Sequence, residues 1–180
     1  MSRLPAIDKD ALGDEQKRMY DEILRVRGQV RGPFAIWLNS PVLGSLALKT
    51  QDWFQKESSM PARLVELAIL VMARKASAQF AWAVHEKRGL ESGLSQDVID
   101  AIRTRTTPDF AKVDERMTYD IACELSDTQT LSPTSYKRAE AFFGVTTLVE
   151  LVSLVGFYVM VAMVLNTFQA DPPNGKIALD

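Results

Sequence analysis

What this chain has little of narrows its chemistry before any of its patterns are read. It carries one cysteine, Cys123, so no disulfide can close within it, and a reducing, cytoplasmic setting is expected. It carries one histidine, His85. One histidine and one distant cysteine are too few ligands for a tetrahedral zinc site. A carboxylate-bridged di-iron bundle needs two Glu-x-x-His pairs, and the residue three before His85 is Trp82. No GxSxG turn is present, and a conventional serine triad would have to share the same histidine. Gly28 and Gly32 are not followed by a GxGxxG pattern or a Walker lysine, so they form no phosphate loop. A formal net charge of -2 without a Lys/Arg-rich run excludes a nucleic-acid surface, which must offset phosphate repulsion. The first residues lack the apolar stretch of a secretory leader. Proton chemistry that needs no metal, nucleotide or other cofactor is what survives.

What is there reads as helix. A chain of 180 residues, 47% hydrophobic and 24% charged, can bury one sizeable core, and a single domain over 1–180 is expected. Residues 11–26 place Met19, Ile23 and Val26 on one face of a surface helix, broken by Gly28, Gly32 and Pro33. Ser40 and Pro41 are a cap and first-turn pair for a helix to about Lys56, with Leu43, Leu46, Ala47, Thr50 and Trp53 expected inward. Ser95 caps a short helix through Ile102. A further helix spans about 110–125 with Val113, Met117, Ile121 and Leu125 inward. Ser132 and Pro133 open another, which Gly144 ends.

Residues 60–94 organise the rest. Pro61 suits a first helical turn, and the only charge between Leu64 and Ala73 is Glu66, whose same-face neighbours are Ala62, Ile69, Leu70 and Ala73. A bare carboxylate there is expensive to bury, so it requires a partner, a cavity or a proton. Lys75 and Ala76 form a connection, Ser77 is the expected cap of a second helix to about Ser92, and Gly93 stops it. If the two helices fold back antiparallel, positions equidistant from the turn meet, and Glu66 faces His85. Ala78, Ala81 and Trp82 share the His85 face. A lone histidine near tryptophan is also an ordinary core residue, Glu66 could instead pair with Arg74, and an aromatic ring at helical spacing is usually wall.

The pattern Glu66, Ala78, Ala81, His85 has the spacing found in the alkyl hydroperoxidase D and carboxymuconolactone decarboxylase superfamily, which this chain resembles over most of its length, including GPFAIWLNSP and LVELVSLVGFYVMVAMVLN. In the peroxidase branch of that superfamily the positions of Ala78 and Ala81 are cysteines. The WxxH of Trp82 to His85 and the following GLS are more similar to the decarboxylase-like branch, although its frequent acid before the tryptophan is Ala81 here. The resemblance implies an all-α, AhpD-like domain of about eight helices and a homo-oligomer, commonly a trimer or hexamer.

Residues 148–165 carry no charge except Glu150 and are long enough to suggest a membrane span. Ser153, Gly156 and Asn166 soften the run, no basic cluster flanks it, and burial in the core or a subunit interface is the expectation instead. RLVELAILVMAR at 63–74 is echoed by TLVELVSLVGFY at 147–158, a possible helical repeat in which Tyr158 takes the place of Arg74 and Gln169 that of His85. Thr147 and Glu150 have the spacing of a capping box.

The resemblance makes His85 the expected general acid or base, held by Glu66, and implies a small carboxylated lactone or related organic acid from aromatic-ring breakdown as substrate. Loss of carbon dioxide leaves a dienolate, so a cation should stand near it and an acid should reprotonate carbon. Arg74 and His85 are the groups available, with Trp82, Ala78, Ala81 and Tyr158 lining the substrate. A noncatalytic oligomer binding a ligand or partner is the alternative. Thiol peroxidase activity, attached to the superfamily, is disfavoured because both motif cysteines are alanine.

Overall fold

The computed structural model describes residues 2–180, for Asn174 the backbone only. Eight α-helices follow one another with no strand among the described residues: α1 Asp14–Arg27, α2 Pro33–Trp37, α3 Pro41–Lys56, α4 Ala62–Lys75, α5 Gln79–Glu91, α6 Gln96–Arg103, α7 Val113–Thr128 and α8 Pro133–Thr167. A single 3-10 turn, Pro173–Gly175, follows them.

Helix α4 is the axis. Its leucines, alanines and methionine are good helix formers, and every residue from 64 to 74 is buried. A helix apolar on all sides can only sit inside, and α5, α7 and α8 pack around this one. The reversal into α5 is a Schellman motif. Ala78 N–H bonds Ala73 O at 2.8 Å, Ser77 N–H bonds Arg74 O at 3.1 Å, and Ser77 holds the left-handed φ of 47°. The same device closes α5, where Gly93 at φ 96° occupies the equivalent place and Leu94 N–H reaches Gly89 O. Ser77 is therefore spent on the turn and does not cap α5. That helix starts one residue later, behind Ala78, with no side-chain cap.

Two inner faces differ from expectation. On α3 the buried residues are Gly44, Ala47, Leu48, Gln51 and Phe54, while Leu43, Leu46, Thr50 and Trp53 look outward. The reason is a close approach: a Cβ on Gly44 would come within 2.0 Å of Met19, so α1 lies against the smallest face of α3, not its most apolar one. On α7 Met117, Ile121 and Leu125 are buried as expected, but Val113 at the first turn is 69% exposed.

Gly144, at φ 76° and ψ 165°, breaks α8. Beyond the break Leu148, Leu151, Leu154, Val155, Tyr158, Val161, Ala162 and Leu165 are buried at helical spacing. This helix is long and apolar enough to cross a bilayer by length and composition, and half of its most apolar window is buried inside the protein. The capping box at Thr147 does not form, because the helix has already resumed there. Glu150 instead accepts hydrogen bonds from Ser58 Oγ at 2.8 Å, Ser59 N–H at 2.8 Å and Ser59 Oγ at 2.9 Å, tying α8 to the loop before α4.

Candidate functional site

The Schellman turn sets α4 and α5 antiparallel, and Glu66 and His85 meet across them. His85 Nδ1 lies 2.6 Å from Glu66 Oε2, with side chains 4% and 3% exposed. A carboxylate only accepts, so Nδ1 carries the hydrogen. The other Glu66 oxygen accepts from Gln55 Nε2 at 3.1 Å. On the far side of the imidazole, Nε2 lies 3.3 Å from the Tyr158 hydroxyl, and the two rings meet edge to face at 5.2 Å. Gln51 Nε2 donates to that hydroxyl at 3.0 Å, which frees the phenol hydrogen to point at His85. Arg27 Nη2 in turn donates to Gln51 Oε1 at 3.0 Å. One chain of polar groups thus runs from Gln55 through Glu66, His85, Tyr158 and Gln51 to Arg27.

Burial and the neighbouring Glu66 charge push the Tyr158 hydroxyl far above the usual phenol range, so it is a neutral donor. Burial is also the main influence on Arg27. It lowers the guanidinium from its ordinary value, Asp52 at 3.2 Å opposes the fall, and Arg88 adds to it.

The chain of polar groups borders a cavity of about 100 Å³. His85, Tyr158, Gln51 and Ala81 line it, together with Arg27, Arg31 and Arg88. Arg27 Nε is buried with no hydrogen-bond partner. Arg88 has neither hydrogen-bond nor ion-pair partner for its side chain among the described residues, and Arg31 only lies over the Phe80 ring at 6.0 Å. Asp52 is shared with Lys56. Two of the three guanidinium groups, Arg31 and Arg88, thus have no anion among the described residues, and Arg27, although paired with Asp52, keeps Nε free, which suits a carboxylate. Among the described residues no three His, Cys, Asp or Glu side chains group to hold a metal ion.

The expected site residues divide. Glu66, His85, Ala81 and Tyr158 come together at or beside the cavity, Tyr158 having been indicated only by the internal echo. Trp82 is fully buried but faces elsewhere: its Nε1 donates to Glu86 at 3.0 Å, and Arg103 covers its ring at 5.7 Å. Ala78 is buried at the start of α5 and does not line the cavity. Arg74 is not the substrate cation that was expected. Its guanidinium donates to Arg103 O at 2.6 Å and pairs with Asp180, and it borders a separate cavity beside Cys123 and Tyr119. Being eight residues after Glu66, it lies about 12 Å further along the α4 axis. The cations at the site are instead Arg27, Arg31 and Arg88. Arg88 was legible, since 81, 85 and 88 share a helical face. Gln51, Gln55 and Arg27 were not, because they come from elements distant in sequence.

No protein-family model matches this chain, and no match was found among curated proteins. Among solved structures it is similar to an uncharacterized peroxidase-related protein from Silicibacter sp. TM1040, with 13% sequence identity and a TM-score of 0.76 over 95% of this chain and 91% of that one. At that identity the likeness is one of fold, and the all-α architecture of about eight helices is the one expected from the sequence.

Proposed function

We propose that this protein binds a small organic acid and performs acid–base chemistry on it, in the manner of a carboxymuconolactone decarboxylase-like lyase. The observation that carries this reading is the Glu66, His85, Tyr158 chain bordering a cavity in which Arg88 has no anion among the described residues and Arg27 keeps Nε unbonded. Arg88 and Arg27 hold the carboxylate, and Glu66 fixes the imidazole so that Nε2 faces Tyr158. In a decarboxylation the electron pair of the broken C–C bond stays on the organic fragment as an enolate, carbon dioxide leaves, and a proton is delivered to carbon. His85, protonated at Nε2 by a proton entering through the cavity, delivers that proton to carbon, Glu66 stabilises the imidazolium, and Tyr158 orients the ring. A carboxylated lactone from aromatic-compound breakdown fits this role. A homo-oligomer, trimer or hexamer, in the cytoplasm belongs to the same proposal. Outward apolar side chains on α3 (Val42, Leu46) and α8 (Val145, Val149) support the assembly.

A noncatalytic, ligand-binding protein is the second reading. It is favoured by the burial of His85, 3% exposed, behind a narrow cavity. Thiol peroxidase chemistry, which the neighbour's name brings to mind, is not supported. Burial pushes the Cys123 thiol up, it lines a different cavity, and Ala78 and Ala81 stand where cysteines would be needed.

The test is a panel of small carboxylic acids and lactones, followed by melting shifts and by turnover. A true ligand at 100 times its Kd raises stability by about 2.7 kcal/mol. Arg88→Met should abolish the shift, and His85→Asn should abolish turnover while leaving the shift. Turnover by His85→Asn at the unaltered rate ends the catalytic reading, and a shift unaffected by Arg88→Met ends the assigned binding mode.

A further inference from the structure

The cavity at His85 is small for the ligand proposed above. At about 100 Å³ it has room for only a few water-sized groups, whereas sites for small organic ligands span about 300–1,000 Å³. A second, much larger cleft of about 910 Å³ adjoins it. Phe80 and Arg31 line both spaces, so one phenyl ring and one guanidinium form the partition. The ring rests on Gly32, where a Cβ would come within 2.3 Å of it, and Gly32 holds φ 59°. Only a residue without a side chain lets the ring lie there.

The outer cleft is closed on its far side by residues 2–12. That arm is fastened to the end of α8, since Arg3 N–H bonds Phe168 O at 3.0 Å and Arg3 Nη1 donates to Thr167 O at 2.9 Å. Between arm and body the walls carry Leu4, Leu12, Val30, Ile36 and Leu38. A pocket holding the unpaired Arg88 and the free Nε of Arg27 therefore opens, past one aromatic ring, toward a roomy and largely apolar chamber.

We infer that the ligand is an amphipathic monocarboxylate whose acid group sits with Arg27 and Arg88 beside His85 and whose apolar body passes Phe80 into the cleft beneath residues 2–12. The inference rests on the acid-binding reading of the His85 cavity and adds the shape and chemistry of the remainder of the molecule. Arg31, lying over Phe80, marks the neck where the polar end gives way to the apolar one. Turning the Phe80 ring off Gly32 joins the two spaces.

Isothermal titration of the intact protein with butanoate, hexanoate, octanoate and decanoate, each beside the alcohol of equal length, tests this. Burying a methylene is worth up to about fourfold in affinity, so decanoate, four methylenes longer, should bind up to about 250-fold more tightly than hexanoate. The alcohols should be weaker than their acids throughout. Ala35→Trp, which fills the outer cleft, should flatten the dependence on length, and Ala170→Trp on the same cleft serves if the first variant does not fold. Equal affinity at every length overturns the inference while leaving acid binding intact. Alcohols binding as well as acids removes the carboxylate from the site and overturns it too. Binding by none of the acids removes the acid-binding reading itself, and the inference with it.

Discussion

Replacing His85 with leucine removes the closest partner of a carboxylate that has nowhere else to turn. The Glu66 side chain is 3% exposed, and its contacts are His85 Nδ1 at 2.6 Å and the neutral Gln55 amide at 3.1 Å. Breaking a buried pair on one side costs about 3–5 kcal/mol, because the remaining charge keeps its desolvation penalty without compensation. For a chain of this length that lowers Tm by roughly 6–20 °C. Removing both partners, as Glu66→Leu with His85→Leu, eliminates the stranded charge. It leaves only Gln55 and Tyr158 short of one bond each, at about 1 kcal/mol apiece. The double variant should thus be more stable than His85→Leu alone, with a coupling energy of about 1–3 kcal/mol. Urea titration followed by the fluorescence of buried Trp82 measures all four corners of the cycle. A His85→Leu loss below about 1 kcal/mol, or strict additivity in the double variant, would refute the account of Glu66 as a buried charge dependent on the imidazole.

Tyr158→Phe should change the alkaline limb of stability. Because the folded-state hydroxyl titrates above its ordinary value of 10.0, folding retains a proton the unfolded chain loses, so stability falls as pH rises above 10.0. The variant should lose one proton's worth of that slope in melts across alkaline pH, Tyr119, pushed up to about 12, keeping its own share. An unchanged slope would count against the burial of that hydroxyl. Cys123→Ser should leave peroxide turnover with a dithiol reductant at background, since burial raises this thiol; activity that disappears in the variant would show the opposite. Light scattering should find an oligomer that Leu46→Glu dissociates, Leu46 being 59% exposed in the single chain; a monomer in the unaltered protein would end that proposal.

Local rules were enough for the hairpin. Pro61, the apolar run after it and Gly93 mark the two helices closely, and equal distance from the turn was sufficient to place Glu66 against His85. What periodicity states is which residues share a face. It does not state which of two apolar faces wins, and on α3 the decision belonged to Gly44 and its contact with Met19. The error over Arg74 had a different origin. The hairpin's sequence offers Arg74 as the available cation, although two helical turns beyond Glu66 carry it toward Arg103 and Asp180. Gln51 and Arg27 reach the site from α3 and α1, and nothing local in a helix announces a partner so far along the chain.

The separation of the partners also sets an order of assembly. Glu66 and His85 lie 19 residues apart in one hairpin, so their bond closes a short loop and can form while most of the chain is still unfolded. Tyr158 is 73 residues from His85 and 107 from Gln51, and its arrival must wait for α8 to dock. Hydrogen exchange should accordingly find a partly opened species in which α4 and α5 remain protected while α8 beyond Gly144 has come away. In that species the imidazole is still held by its carboxylate but has lost the phenol, and the cavity stands open on one side.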